Sequence, residues 1–408
     1  MSDQPPAFAA LDIGTAAITV ILAEWVEGET WKIVGVGRTP STGIRRGLIV
    51  DLERTTEAIA RAVADAELMA GGSAGALHVN IGGDHVRSVN SRGVIAVAHR
   101  GGAIDHDDVE RVLQAARAIP VPPDREVLHV LPQEFIVDDQ GGIKDPIGMA
   151  GARLEVAVHI VTGSALAVGN IHHCVQKAGY ELGSLTLSSL AAAEAALTER
   201  EREMGVALVD VGAALTEVVV IADDAVRHTG AIPLGGRHVT NDLAIGLRTP
   251  VDEAERLKVS LGALGIDPLD EEDPVLVPVV GDQPPREISR RVIAAIVGPR
   301  LEEIFQLAKG EIRKAPSHDH LASGVVLTGG GAGLAGAWEL AERVFDLPVR
   351  VGRPAGLLGL TDLVGTPADA VVVGLVRLAA RAARGGSPPR GVFKRLASRI
   401  SNVLSEFI

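Results

Sequence analysis

Two short segments of this chain repeat one another. Leu11-Asp12-Ile13-Gly14-Thr15 opens one apolar run and Val209-Asp210-Val211-Gly212-Ala213 opens another, with the two aspartates 198 residues apart. A repeat at that separation predicts two related halves, each opening on a hairpin with an Asp-x-Gly turn. In such a unit the glycine takes the side chain out of the turn, so backbone amides can approach phosphate oxygens. The aspartate at the strand end can face a hydrated cation. Asp12 and Asp210 are the candidates for that pair. A lone Asp-x-Gly is also ordinary turn chemistry, so the weight comes from its occurring twice.

A chain of 408 residues with 47% apolar composition can build more than one core. Apolar runs of strand length alternate with helical patterns, as in 9–22 followed by 52–70, which predicts an α/β fold. Residues 84–162 carry strand-like runs at 94–98, 127–131 and 154–161 around a charged helix at 107–118, and read as an inserted subdomain. A second insertion is expected over 228–300, with a helix-rich stretch at 236–262 and a Pro-rich loop at 273–285. Residues 384–390 have the composition of a linker.

Several classes are disfavoured. The longest apolar stretches, 204–222 and 366–383, are broken by Asp210 and Glu217 and by Asp369, Arg377 and Arg381, so no spanning helix is expected. The opening MSDQPPAFAALDIG lacks a basic n-region and a long apolar h-region, so the chain is expected to stay inside the cell. Cys174 is the single cysteine, which leaves neither a disulfide framework nor a thiolate zinc site. With a net charge of −13 and 2% aromatics, nucleic acid is not an expected partner.

Two further segments could meet a ligand. Thr328-Gly329-Gly330-Gly331-Ala332-Gly333 follows an apolar strand at 324–327 and precedes a helix from about 336. Its bare backbone admits a flat or charged ligand, or is a plain flexible turn. Glu255 and Lys258 stand three apart on one helical face and could take two ribose hydroxyls, or form a surface ion pair. His172, His173 and Cys174 point to different sides of a helix and read as packing or surface residues. No residue is assigned a catalytic role.

The C-terminal segment reverses the charge of the rest. Over 384–408, five basic residues against Glu406 give a local net of +4 in a chain of −13. From Gly391 onward, Phe393, Leu396, Ile400, Val403, Leu404 and Phe407 recur at spacings of three and four and make one helical stripe, with Lys394, Arg395 and Arg399 off it. Burying such a stripe among headgroups returns about 1.5–3 kcal/mol per large side chain at full burial, and each basic residue near an anionic leaflet adds about 1 kcal/mol. Anionic membrane lipids are the expected partner of an amphipathic helix here.

Taken together, the two Asp-x-Gly units, the triple glycine and the Glu-x-x-Lys helix resemble the actin, Hsp70 and sugar-kinase superfamily. Within it the chain is similar to the FtsA family of bacterial cell-division proteins over almost its whole length. The segments that carry this are Ser41-Thr-Gly-Ile-Arg-Arg-Gly47, Leu128-His-Val-Leu-Pro-Gln133, Asp145-Pro-Ile-Gly-Met149, Pro233-Leu-Gly-Gly236 with Thr240 and Asp242, and Gly281-Asp-Gln-Pro-Pro-Arg286.

The resemblance implies an actin-like, duplicated ribonuclease-H-type fold. Its two lobes enclose a nucleotide cleft, with inserted subdomains and a C-terminal amphipathic helix. It implies subdomain 1A at 1–83, 163–195 and 350–383, subdomain 1C at 84–162, subdomain 2A at 196–227 and 301–349, and subdomain 2B at 228–300. A linker at 384–390 and a membrane-targeting helix at 391–408 complete the layout. It further implies bound ATP and Mg2+. Asp12, Gly14 and Thr15 would form the first phosphate loop, and Asp210, Gly212 and Thr216 the second. Gly235 and Gly236 would lie against the nucleotide, Gly329, Gly330 and Gly331 would form the adenosine motif, and Glu255 and Lys258 would hold ribose and base. Asp12 and Asp210 would reach the metal through water.

As partners it implies the C-terminal peptide of tubulin-like FtsZ on 228–314, where Arg290, Arg291 and Arg300 offer charge-assisted bonds. Self-association into filaments and contacts with later division proteins would use 84–162. The location implied is the cytoplasmic face of the inner membrane at the division site. A kinase of the same superfamily and a pilus-assembly platform protein are the alternatives. There are departures: Ala17 stands where the family's first loop often has a polar or basic residue, and Ala213 and Ala214 replace glycines usual in the second.

Overall fold

Each half opens on the hairpin that the repeat predicts. Strands Phe8–Ile13 and Ala17–Trp25 pair antiparallel, as do Val206–Val211 and Thr216–Ala222. The turns match as well: the Gly14 amide donates to the Ala17 carbonyl at 3.1 Å, and the Gly212 amide to the Leu215 carbonyl at 2.9 Å. Glycine is needed at Gly14, where a Cβ would lie 2.7 Å from the Ala17 oxygen. The computed structural model describes residues 8–26, 31–97, 102–261, 274–281 and 284–383. The linker and the amphipathic tail, with Phe393, Lys394, Arg395, Leu396, Arg399, Ile400, Val403, Leu404 and Phe407, lie outside the described residues.

From each hairpin a five-stranded sheet grows in one order. In the first half a third strand, Trp31–Pro40, adds antiparallel beyond Ala17–Trp25, while Leu77–Ile81 and then Leu182–Leu187 add parallel on the other side. In the second half, Ala225–Ile232 takes the antiparallel outer place, and Val325–Thr328 and Val349–Val351 the parallel ones. Parallel neighbours need crossovers. The helices Leu52–Ala70 and Ala165–Lys177 follow in the first half, and Arg290–Ile312 and Ala337–Phe345 in the second.

Between the two sheets lie the helices Ser188–Ala196 and Ala370–Ala383. They share one core with Phe8, Ala10 and Ile21 of the first sheet and Leu208, Val219 and Val326 of the second. The run Ser188-Ser-Leu-Ala-Ala-Ala-Glu-Ala-Ala196 lets the helix backbones meet: a Cβ at Gly374 would fall 1.7 Å from the Ala191 carbonyl oxygen. This small-residue crossing brings the two lobes close and leaves a cleft at the strand ends.

The inserted segment forms a sheet of its own, in the order Arg87–Ala96, Arg153–Ser164, Arg125–Val137, Gln140–Ile143, with the helix His106–Arg117 packed on it. That helix starts on a capping box, Asp105 with Asp108. Its first strand begins seven residues before the expected 94–98 run, because Arg87-Ser-Val-Asn-Ser-Arg lacks an apolar alternation. The expected Pro-rich loop at 273–285 is also corrected. Pro274–Val277 is a strand paired with Arg286–Ser289, with proline at its first position and Val277 fully buried. Among the described residues no helix is long and apolar enough to cross a membrane.

Candidate functional site

The strand ends of both hairpins face a cleft of about 540 Å3 between the lobes. Of the residues singled out in the sequence, Asp12, Gly14, Thr15, Asp210, Gly212, Gly236, Glu255, Lys258, Gly329, Gly330 and Gly331 all line it. Thr216 and Gly235 do not. The Thr216 hydroxyl is fully buried and donates to the Leu234 carbonyl at 2.9 Å, tying its strand to the chain before Gly235. Gly235 packs behind the second turn, where a Cβ would lie 2.5 Å from the Gly212 carbonyl oxygen. That close approach lets the Gly236 and Arg237 amides donate to the Gly212 and Ala213 carbonyls at 2.9 and 2.7 Å.

Strand register places a third carboxylate beside the two expected ones. Asp210 is paired directly with Glu217 across the second hairpin, as Asp12 is with Thr19 across the first. Burial pushes Asp12 up to about 7, helped by the negative charges of Asp210 and Asp369. Burial raises Asp210 to about 6. Glu217 rises to about 8 through burial and then the charges of Asp210 and Asp12. Asp210 and Glu217 are buried and Asp12 partly so, and a cation between them would favour the ionised form of all three. Among the described residues no three His, Cys, Asp or Glu side chains converge closely enough to hold a bare metal ion. A cation fitted here would keep water and borrow oxygens from its ligand.

Other groups fix the floor. The Ile13 amide donates to Asn80 Oδ1 at 2.7 Å, and Asn80 Nδ2 donates to Ser188 Oγ at 3.2 Å. Arg38, also on the cleft wall, pairs with the buried Asp369, whose carboxylate accepts the Thr366 amide at 3.0 Å. Close to that pair Gly329 adopts a φ of 81°, and its amide donates to the Pro367 carbonyl at 3.0 Å. A Cβ there would collide with Asp210 Oδ1 at 2.2 Å, so only glycine lets the third segment close on the second hairpin.

Lys258 is buried and donates to both Glu255 oxygens at 2.7 and 2.9 Å, to Thr240 Oγ1 at 3.0 Å and to the Gly236 carbonyl at 3.2 Å. The pair is therefore a bracket joining the helices Gly236–Leu247 and Val251–Leu261 at the cleft wall. Burial works against the Glu255 charge, but hydrogen bonds from Lys258 and Thr240 outweigh it and hold its carboxyl below the usual range. Val259 and Leu334 add apolar surface beside the glycines.

Sequence reasoning missed Arg38, Asn80, Ser188, Glu217 and Asp369. Glu217 could have been found by pairing the second hairpin from its Asp-x-Gly turn, and Asp369 from Thr366-Pro-Ala-Asp, a capping box on the short 3-10 turn that leads into the last helix. Away from the cleft, the expected peptide-binding arginines differ in their surroundings. Arg300 donates to Asp242 at 2.6 and 3.3 Å and also pairs with Glu303. Among the described residues Arg290 Nε is buried without a hydrogen-bond partner, and Arg291 is exposed.

A family model described as "Cell division protein FtsA" matches residues 207–374, and one described as "SHS2 domain inserted in FTSA" matches 83–162. A Pseudomonas aeruginosa protein named Cell division protein FtsA is 42% identical over 366 residues, covering 90% of this chain and 87% of that one. The chain belongs to the FtsA family. The Escherichia coli K12 FtsA is 36% identical over 373 residues, covering 90% and 88%, and the Bacillus subtilis FtsA 37% over 377 residues, covering 92% and 84%. This is a family of cell-division proteins.

Among solved structures, the PilM-PilN type IV pilus biogenesis complex matches with a TM-score of 0.66 at 15% identity, covering 92% of this chain and 98% of that one. MreB 5 of Spiroplasma citri bound to AMPPNP gives 0.58 at 14%, covering 92% and 96%. The MamK double helical filament gives 0.51 at 12%, covering 91% and 98%. At such identities these likenesses establish the fold, which is actin-like.

Proposed function

We propose that the chain binds ATP with a hydrated Mg2+ in the cleft, self-associates, and tethers FtsZ filaments to the inner face of the cytoplasmic membrane at the division site. The observation that carries the nucleotide reading is the pair of matched Asp-x-Gly hairpins facing one cleft, with three acids there whose charges a cation would offset. When bound, Mg2+-ATP would supply that positive charge together with phosphate oxygens for the backbone amides. Asp12 and Asp210 would hold the cation through water, and Gly14, Thr15 and Gly212 would face the phosphates. Gly236, Gly329, Gly330 and Gly331 would lie along the nucleoside, and the Glu255 carboxylate, oriented by Lys258, would take ribose hydroxyls. Thr216 and Gly235 act one step back, by fixing the second turn. The actin-like relative MreB 5 has been solved with AMPPNP and MamK as a filament, which supports this reading.

Both lobes contribute to the cleft, so a ligand touching both favours the closed arrangement and one shape of the surface for head-to-tail association. Many weak amphipathic tails on one filament then act together on anionic lipid. The segment 228–314 would receive the FtsZ C-terminal peptide. Arg290, Arg291 and Arg300 are its candidates for charge-assisted bonds, Arg300 from beside Asp242 and Glu303. The insertion at 84–162 would meet neighbouring copies and later division proteins. FtsA relatives at 36–42% identity favour this over the pilus-assembly alternative, whose likeness stands at 15%.

Co-sedimentation with anionic vesicles tests the proposal, comparing the full chain with one ending before Gly391, with and without FtsZ and ATP. The full chain should carry FtsZ to the vesicles and the shortened chain should stay in the supernatant. Equal sedimentation of the two would remove the anchor, and vesicle binding that leaves FtsZ behind would remove the tether.

A further inference from the structure

A second cavity, of about 290 Å3, adjoins the same two hairpin turns and shares only Thr15 and Ala214 with the main cleft. The first lobe gives it Thr42, Arg45 and Arg46, and the second gives it Arg237, His238 and Asn241; no acidic residue lines it. Among the described residues the side chains of Arg45 and Arg46 make no ion pair or hydrogen bond. Arg237 donates to the Thr15 carbonyl at 2.8 Å across the gap between the lobes, and Glu255 is its counter-charge among the described residues. Three guanidinium groups around a concavity with so little compensation repel one another unless an anion sits between them.

Three local features aim this charge inward. The hairpin of Ile44–Arg45 and Leu48–Ile49 closes through a two-residue turn, Arg46 at φ 51° and Gly47 at φ 77°. Gly47 is pinned there, because a Cβ would meet the Gly82 carbonyl oxygen at 2.4 Å. An arginine in the left-handed region is strained where asparagine or glycine would be relaxed, so its charge is placed at a conformational cost. Arg237 and His238 belong to the first turn of the twelve-residue helix Gly236–Leu247, whose positive dipole end adds to the field. His238 Nδ1 lies 3.1 Å from the Gly235 amide nitrogen and 3.3 Å from the Gly235 carbonyl oxygen, so the ring is anchored through Nδ1.

We propose that this cavity is a second anion site, which takes a phosphate dianion, free or as a small phosphate ester, between Arg45 and Arg46 of one lobe and Arg237 and His238 of the other. A ligand there spans the lobes beside the nucleotide cleft, sharing only Thr15 and Ala214 with it, so its occupancy and cleft closure are linked. The site stands on its own geometry; only this linkage rests on the nucleotide reading.

Titration calorimetry on the full chain tests it, with inorganic phosphate and glycerol 3-phosphate as separate probes, each with and without saturating Mg2+-AMPPNP. The variants are Arg45→Gln alone and Arg45→Gln with Arg46→Asn, asparagine being able to keep the left-handed turn. At least one probe should bind with AMPPNP present, and the double variant should weaken it about 10- to 100-fold while AMPPNP affinity is unchanged. The probe that binds more tightly names the source of the phosphate. Binding unchanged by the double variant, binding lost when AMPPNP is added, or no binding of either probe would overturn the proposal. If AMPPNP itself fails to bind while phosphate binds and the double variant loses it, the nucleotide reading falls and this site stands.

Discussion

Gly329 and Gly330 are neighbours in sequence, yet the structure assigns them different duties, and alanine at each should separate folding from ligand binding. At Gly329 the φ of 81° makes an L-residue unfavourable by about 1–2 kcal/mol. A Cβ would also lie 2.6 Å from the Val211 carbonyl oxygen and 2.2 Å from Asp210 Oδ1, a backbone and a buried side chain that cannot swing away. Overpacking of that kind adds about 1–3 kcal/mol, so Gly329→Ala should cost about 2–5 kcal/mol in all. In urea unfolding followed by circular dichroism, the midpoint should fall by about 1 M for a slope near 3 kcal/mol/M.

Gly330, by contrast, has no atom within 4 Å of a built Cβ and stands exposed on the cleft wall. Gly330→Ala should leave stability within about 0.5 kcal/mol. The same methyl would press on any ligand along that wall, and a 1–3 kcal/mol penalty corresponds to about a 5- to 150-fold loss of nucleotide affinity. A Gly329→Ala protein as stable as the parent would refute the tight-turn argument. A folded Gly330→Ala protein with parental nucleotide affinity would show that the glycine segment does not face the nucleotide.

Three other outcomes are expected. Because Asp12, Asp210 and Glu217 are raised above ordinary carboxyl values, the ligand-free fold holds protons that the unfolded chain has released. Its stability should therefore fall as pH rises from about 4 towards about 8, and Mg2+-ATP binding near pH 7 should release protons, seen as a buffer-dependent calorimetric heat. His159 and His129 behave in the opposite sense: burial pushes both down to about 4, so the unfolded chain takes up their protons first. Acid should cost nothing above pH 6.5 and about 1.4 kcal/mol per unit per histidine between there and 4, and His159→Gln should remove one share of that slope in denaturant titrations. Lys258→Met should lower stability by about 1–3 kcal/mol and weaken ATP binding, and a cycle with Glu255→Gln should show coupling above about 0.5 kcal/mol.

The parts of the fold that were legible in the sequence are those that local chemistry writes twice. The Asp-x-Gly repeat carried the two hairpins, and those hairpins carried the common sheet order, since each first strand must pair with its own second. The triple glycine was legible as bare backbone, but only the structure shows that Gly329 accommodates Asp210 while Gly330 is open. Thr216 was placed in the second phosphate loop by the resemblance alone, whereas strand alternation turns it away from the cleft and shows Glu217 instead. The contacts of the insertion were not legible at all. Ser88 Oγ donates to the Thr229 carbonyl at 2.9 Å and Gln133 Nε2 to the Val226 carbonyl at 2.7 Å, while His159 sits between Asn90 and Thr229. These bonds cover the outer strand Ala225–Ile232 of the second lobe, and they join residues up to 141 positions apart, which no local pattern encodes.

Ala17, Ala213 and Ala214 stand where the resemblance leads one to expect a polar residue and two glycines, and the structure shows how alanine is accommodated. None of the three has a positive φ, so the backbone there takes a shape that alanine adopts without strain. Ala17 contributes its carbonyl, which any residue could supply to the Gly14 amide. In the second turn the carbonyls of Gly212 and Ala213 accept from Gly236 and Arg237. A trans peptide holds its N–H opposite its C=O, so those two bonds point the Ala213 and Ala214 amides the other way. The glycine that this arrangement requires is Gly235, which comes close enough to draw the carbonyls back. Alanine rather than glycine at 213 and 214 thus takes the room of two methyl groups from the cleft, while the direction of the amides that line it is set from the helix Gly236–Leu247.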